Sequence, residues 1–396
     1  MRKKVVITDV AAISALGMGF ENIASAMSQP PHKSTVKDYE FHQFDKEIAC
    51  FPVQGFDPVE VLGKKGLRTK DYSTKLLLGA FESLKGIMDI EDQIEKPGIC
   101  VGTAFGSVQS IGDFLSDSIV NGVSNVNPQA FANTVINSPT GNANIRFLAR
   151  NLSATVATGF NAGLDALIYS YDYIQSGYLE RIATGGLEEI SYYSLLGFIR
   201  SGVLSISGSM RPFATDSDGC TMGEGCALFV LETEEAANRR GVRILAEIAG
   251  TGSTFDSDAA HDGKPDGKAA YRAVLDACNE AGIQIGDIDF IASGANGSSR
   301  TDHLEAAAIK ALGSNAPVTA YKAITGECFG ASGALNTICA LSDLKNGTIS
   351  ATPSSYPTID NIPLVKSTIR KNSRYALIIS CSCEGNCSAL ILKNVN

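Results

Sequence analysis

Long basic runs are missing from these 396 residues, and the Met1–Lys4 cluster and Lys64-Lys65 are short. That is too little for a nucleic-acid surface. The formal net charge is −9, so an acidic partner would have to be met by a local basic patch rather than by a global attraction. Long apolar runs are missing too. Cys226–Leu231 and Tyr375–Ser380 fall far short of the roughly 20 residues that span a bilayer. The basic start followed by Val5–Leu16 has the outline of a leader. Asp9 interrupts its apolar stretch, however, and no small-residue cleavage site follows, so Val5-Val-Ile-Thr8 reads as a first buried strand. Histidine is scarce: His32, His42, His261 and His303 are the whole supply. Of ten cysteines only Cys381, Cys383 and Cys387 cluster, and no second pair or spaced histidine completes a tetrahedral set. No metal and no cofactor is expected. The cysteines read as small core residues of a reducing cytoplasm.

What is present is an ordinary globular composition, 44% hydrophobic and 19% charged, on a chain long enough for two cores. Short apolar runs alternate with helical stretches. Val5–Thr8, Gly98–Gly102, Ile182–Gly185 and Ala227–Leu231 read as buried strands of a first half. Leu245–Ala249, Phe290–Ser293, Val318–Tyr321, Ala376–Ser380 and Ala389–Leu392 do so in a second. Ser73–Lys85 and Gly267–Ala281 carry helical spacing, with Ala270, Val274, Ala277 and Ala281 on one face. Alternation of this kind predicts a layered α/β fold. The two halves, residues 1–235 and 236–396, share a layout and meet at the charged stretch Glu232–Gly241. Glycine clusters at Thr158–Gly163, Gly219–Gly225 and Gly326–Gly333 are expected at strand-to-helix turns. The last of these lacks the spacing and the following acidic residue of a dinucleotide loop.

Three long stretches carry a family resemblance. Val5-Val-Ile-Thr-Asp-Val-Ala-Ala-Ile-Ser-Ala-Leu-Gly17, Arg211-Pro-Phe-Ala-Thr-Asp-Ser-Asp-Gly-Cys-Thr-Met-Gly-Glu-Gly225 and Lys322-Ala-Ile-Thr-Gly-Glu-Cys-Phe-Gly-Ala-Ser-Gly333 stand in this order along nearly the whole chain. They resemble the signatures of the β-ketoacyl-ACP synthases. That resemblance implies a thiolase-like fold of two pseudo-repeated halves in α-β-α-β-α layers. It also implies condensing chemistry by a cysteine at a helix N-terminus, which holds an acyl chain as a thioester. Two histidines stabilise the enolate and oxyanion that develop.

None of the three groups stands where the resemblance places it. The nucleophile turn reads Thr158-Gly-Phe160-Asn-Ala-Gly163, with Phe160 in the cysteine's place. The first histidine turn reads Gly294-Ala-Asn296-Gly-Ser, and the second puts Glu327 after Gly326; only Lys322 is retained. A phenyl ring forms no thioester, and an ionised Glu327 repels a malonyl carboxylate. Glu327 is expected to pair with Lys322 or Arg300 and to hold the altered site together, with His303 on a helix surface.

The resemblance therefore narrows to the chain length factors, the cysteine-free partners of active ketosynthases. Two details point there: the shortened stretch Asn296–Glu305 and Gly163-Leu-Asp165-Ala-Leu167. The chain length factors' usual replacement of the cysteine is Gln rather than Phe. The gating segment near the C terminus is rewritten as Ser382-Cys383-Glu384-Gly385, placing Cys383 at the gate. As partners the resemblance implies an active ketosynthase, paired through a strand near Ser153–Thr158, and an acyl carrier protein. Ile111, Phe114 and Leu115, in the helical stretch Val108–Ile119, become candidates for lining the acyl tunnel or, equally, for plain dimer core. Two alternatives stay open: an acyltransferase with relocated chemistry at Cys328 or Cys383, and a non-catalytic acyl- or carrier-binding homodimer.

Overall fold

The computed structural model describes residues 2–39, 41–88, 90, 96–149, 151–257, 266–355 and 357–395; His261 lies outside them. Besides a short strand, Gly17–Met18, that pairs with Ile13 and Ser14, ten strands build the path of the main sheet. They are β1 (Val5–Ser14), β2 (Gly98–Gly102), β3 (Ser153–Val156), β4 (Arg181–Glu188), β5 (Gly225–Thr233), β6 (Ala246–Phe255), β7 (Phe290–Ala292), β8 (Val318–Thr319), β9 (Tyr375–Cys381) and β10 (Asn386–Lys393). Their order is β8-β7-β9-β10-β6-β1-β5-β4-β2-β3. Pairing is symmetric about the β1–β6 junction: antiparallel through β5 and β4 on one side and through β10 and β9 on the other, then parallel to each outer edge. The pseudo-repeat in the sequence thus has a counterpart in strand order and in direction.

Side-chain alternation along these strands turns the sheet into layers. Helices α1 (Tyr72–Ser83) and α3 (Ser138–Phe147) cover one outer face with Leu76, Phe81 and Phe147, against Ile13, Val101 and Leu228. Helices α6 (Lys268–Ala281) and α7 (Ser299–Leu312) cover the other with Val274, Leu304 and Ile309, against Leu377, Ile379 and Ile391. Between the half-sheets lie α4 (Ala162–Gln175) and α8 (Ser332–Asn346), whose Leu164, Leu167, Leu335 and Ile338 meet Ile7, Phe229, Ile378 and Leu390. A helix enclosed by two sheets must be apolar or hydrogen-bonded all round. In α8 every residue from Ser332 to Leu344 is buried. Close approach here needs glycine: a Cβ on Gly163 would overlap the Gly330 carbonyl oxygen, and one on Gly330 would overlap the Ala104 backbone nitrogen.

Several boundaries shift from expectation. The first strand runs on to Ser14, past a bulge between Ile7 and Asp9. The strands at Phe290 and Val318 are shorter, because Ser293 and Ala320 already begin the turns that carry the site. The stretch read as Leu245–Ala249 is displaced and extends to Phe255. Gly219–Gly225 is not a strand-to-helix turn: it feeds β5 directly, and its Met222-Gly223 pairs with Cys50-Phe51. Gly326–Gly333 joins a single helical turn, Lys322–Thr325, to α8. Thr158–Gly163 does join β3 to α4. Among the described residues no helix is long and apolar enough to cross a membrane.

Candidate functional site

Phe160, Asn296 and Glu327 converge where the two halves meet. Phe160 sits in the 3-10 turn Gly159–Asn161 that opens α4. Asn161 anchors the turn by donating to the Ser380 and Asn386 carbonyls, both at 2.9 Å, while Ser380 Oγ donates back to Asn161 Oδ1 at 2.8 Å. The Phe160 ring lies 4.7 Å from Phe329, 6.0 Å from Phe198 on α5 (Tyr192–Ser201) and 6.1 Å from Phe105, centroid to centroid. Phe198 and Phe329 stack at 4.6 Å with planes 11° apart. Four phenyl rings therefore fill the space in front of the α4 turn. Phe329 is held there at φ 40°, a backbone region costly for a bulky residue.

Glu327 is fully enclosed and fully satisfied. Its Oε2 accepts from Lys322 Nζ and from Asn296 Nδ2, each at 2.7 Å. Its Oε1 accepts from Ser332 Oγ at 2.7 Å and from the Phe329 N–H at 2.9 Å. Burial alone would raise its pKa, but the Lys322 charge and the hydrogen bonds from Lys322, Asn296 and Ser332 outweigh that and hold the carboxyl below its ordinary range. Lys322, not Arg300, is thus the partner of Glu327, because Arg300 is exposed on α7 while Lys322 is buried beside the carboxylate. His303 is exposed on the same helix, with Nδ1 2.7 Å from the Ser299 carbonyl.

A ring of buried acids frames the pair. Asp302 accepts from the N–H groups of Phe213, Asn296 and Gly297 at 2.5, 2.9 and 3.0 Å; burial pushes it up to about 6. Glu305 accepts from Ser293 Oγ, Cys381 N–H and Gly294 N–H, and burial pushes it up to about 7. Glu188 accepts from Ala104, Phe105 and Gly330 N–H, and burial raises it to about 8 against those bonds.

An open pocket of 580 Å³ leads in from solvent, its wall including Phe160, Phe198, Phe329, Asn296, Arg300 and Cys383. At its rim the Glu384 carboxylate accepts the Phe160 N–H at 3.3 Å and lies against Gly159. A carboxylate is favoured over the N-terminus of a helical run. What this arrangement offers chemically is limited. The Lys322 charge is neutralised, and among the described residues no imidazole reaches the site. Cys328 is fully buried, with its thiol held far above the ordinary range by burial and then by Glu327. Cys383 does reach the pocket, but burial and Glu384 raise its thiol as well. Both effects suppress the thiolate that a nucleophile needs.

Ile111, Phe114 and Leu115 lie elsewhere, on α2 (Val108–Asn121), and are not in the pocket wall. Ile111 and Phe114 are half-buried and Leu115 is exposed; Phe114 packs 5.9 Å from Phe131. The helix buries no residue. Polar contacts hold it down, His42 Nε2 lying 3.1 Å from Ser116 Oγ and 2.9 Å from Tyr193 Oη. Its outer face continues into exposed Ile119 (82%), Val120, Val123 (79%) and Phe131. At the sheet edge β3 pairs, among the described residues, with β2 alone. Phe105, Phe198, Ser332 and Glu384 complete the site without having been singled out in the sequence. Phe105 and Phe198 belong to no motif, and only their distance from Phe160 in three dimensions reveals them.

Residues 62–237 match the family model for the N-terminal domain of β-ketoacyl synthases, and residues 245–355 that for the C-terminal domain. The chain belongs to the β-ketoacyl synthase family, with its mixed α/β, thiolase-like fold. It is 29% identical over 379 residues to a putative mitochondrial 3-oxoacyl-[acyl-carrier-protein] synthase of Schizosaccharomyces pombe, covering 88% of each chain. It is 30% identical over 302 residues to a 3-oxoacyl-[acyl-carrier-protein] synthase homolog of Saccharomyces cerevisiae, covering 70% of this chain and 67% of that protein. The structure described as the ishigamide ketosynthase/chain length factor superposes with a TM-score of 0.92 at 25% identity, over 100% of both chains.

Proposed function

We propose that this chain is the non-condensing subunit of a ketosynthase pair, a chain length factor that acts with an active ketosynthase and an acyl carrier protein. One observation carries the reading: the site keeps the family's framework but closes it with Phe160 and with the Lys322–Glu327–Asn296 cluster. Thiol, imidazole and free cation are each replaced by a packed or neutralised group, so acyl transfer has no nucleophile and an oxyanion no acid. The likeness to the ishigamide ketosynthase/chain length factor supports the same reading.

The exposed apolar face of α2 and the β3 edge supply a surface suited to a partner subunit, since contiguous apolar patches and free strand edges are normally covered. Ile111, Phe114 and Leu115 stand on that helix, where their bulk would limit a chain growing in the partner. Residues 1–235 and 236–396 form the two halves that together make one such subunit. Co-expression with a ketosynthase that retains cysteine and two histidines tests the pairing: a one-to-one heterodimer is expected on co-purification. A stable homodimer that ignores such partners would overturn it. Leu115→Asp with Ile119→Asp should break the heterodimer while leaving the fold intact, because neither side chain is buried in the single chain; unchanged co-purification would show that the interface lies elsewhere.

Phe160→Cys should restore no condensation and accumulate no acyl-enzyme, because Asn296 and Glu327 still occupy the acid/base positions and Glu384 still takes the turn's N–H. Mass spectrometry after incubation with acyl-carrier protein reads this directly. A stoichiometric thioester on any cysteine of the unaltered chain would sink the subunit reading in favour of relocated chemistry.

A further inference from the structure

The β9–β10 hairpin carries three cysteines around its tip, and two of them face each other. Cys381 and Cys387 are direct partners in the antiparallel ladder. One step nearer the tip, Ser382 N–H donates to the Asn386 carbonyl at 2.8 Å, which makes residues 382 and 386 a hydrogen-bonded pair. Alternation along the ladder then makes Cys381 and Cys387 a non-hydrogen-bonded pair, the kind that brings Cα atoms to about 4.5 Å with side chains closest. A disulfide takes Cα separations of about 4.4–6.8 Å. Both side chains lie in the outer core with Ile379 and Ala389, so they point to the same face. Among the described residues no other two cysteines oppose each other in a ladder.

We propose that Cys381 and Cys387 are a redox-responsive dithiol that closes to a cross-strand disulfide and pins the hairpin tip over the degenerate site. The oxidant is a small disulfide such as oxidised glutathione. One cysteine thiolate attacks an oxidant sulfur, breaking its S–S bond and releasing one thiol. The second cysteine attacks the mixed disulfide and releases the other. Two electrons pass to the oxidant, and the two protons leave on its thiols. Both cysteines are buried, so the first attack waits for the tip, residues 382–385, to lift. The hydrogen bond between the two thiols, and then burial, hold Cys381 well above the ordinary thiol range, which makes conversion slow. Once formed, the bond fixes Cys383 at the pocket wall and Glu384 against the Phe160 turn.

The test equilibrates the full folded chain in glutathione buffers dominated by the oxidised or the reduced form. Samples are then quenched in acid, unfolded, alkylated and analysed as peptides by mass spectrometry. The expected result in the oxidised buffer is a cross-linked Cys381–Cys387 peptide lacking two hydrogens, with loss of both alkylation sites and full recovery on reduction. Cys383→Ser, which removes the one half-exposed cysteine, should give the same cross-link. Amide hydrogen exchange at residues 382–385 should slow in the oxidised chain. Full alkylation of Cys381 and Cys387 after oxidation would overturn the proposal, as would a cross-link that runs through Cys383 or unchanged exchange at the tip. None of these readouts depends on a partner subunit, so they are independent of the chain-length-factor reading.

Discussion

Replacing Lys322 with methionine should lower the unfolding free energy by about 3–5 kcal/mol, the usual cost of stripping one partner from a buried ion pair. Lys322 is 5% exposed and Glu327 1%, so the carboxylate left behind has no water to turn to. Asn296, Ser332 and the Phe329 N–H still donate to it, which is why the loss stays within that range. Glu327→Leu combined with Lys322→Met should recover most of it, since exchanging a buried pair for apolar groups is often neutral. Urea denaturation of the three proteins measures both effects. A single-variant loss below about 1 kcal/mol, the worth of a surface pair, would mean that the cluster is hydrated and open. The same substitution changes the acid limb. Glu327 is depressed in the folded chain, so its pair contributes stability above the unfolded carboxyl value and loses it as pH falls through the folded one. In Lys322→Met that contribution is missing at neutral pH.

Such a cluster also shows how far a sequence can be followed. Motif spacing singles out Phe160, Asn296, Glu327 and Lys322, and the structure brings them to one place, because glycine-paced turns fix backbone geometry over short stretches. Gly163 and Gly330 are examples, each pressed against backbone that a Cβ would overlap. It leaves open whether Lys322 or Arg300 meets Glu327, since both are cations near the site in sequence and only burial separates them. The phenylalanine cluster was not legible. Phe105, Phe160, Phe198 and Phe329 come from four separate segments, and their contact is a product of long-range packing rather than of period or spacing. Glu384 escaped for a related reason. Its segment reads as a rewritten gate, yet its carboxylate matters because the β9–β10 hairpin folds it against Gly159. Gly219–Gly225 misled in the opposite direction: a glycine cluster marks close backbone approach, and here the neighbour is a strand instead of a helix.

Stability should fall as pH rises from about 5 to about 8, the reverse of what paired surface carboxylates produce. Asp302, Glu305 and Glu188 are pushed up to about 6, 7 and 8 by burial, while unfolded carboxyls titrate near 4. Between those values the folded chain holds protons that the unfolded chain has released. By linkage each such group removes up to about 1.4 kcal/mol of stability per pH unit across its own interval. Glu327 and Glu232 act with the opposite sign, both held low by cations and hydrogen bonds that outweigh burial, but their contribution is lost only below the unfolded carboxyl value. The two trends together place maximum stability near about pH 5. Denaturation midpoints followed from pH 4.5 to 8.5 in about half-unit steps give the curve. Glu305→Gln should lower it throughout, because one amide oxygen cannot accept from Ser293, Gly294 and Cys381 together, yet flatten it below about pH 7, the interval in which Glu305 itself titrates. A midpoint that stays level or climbs from pH 5 to 8 would mean that the hydrogen bonds converging on these carboxylates win over burial. The acids around the Lys322–Glu327 pair would then be ionised, and the site would carry a net negative charge that opposes any anionic acyl intermediate still more strongly.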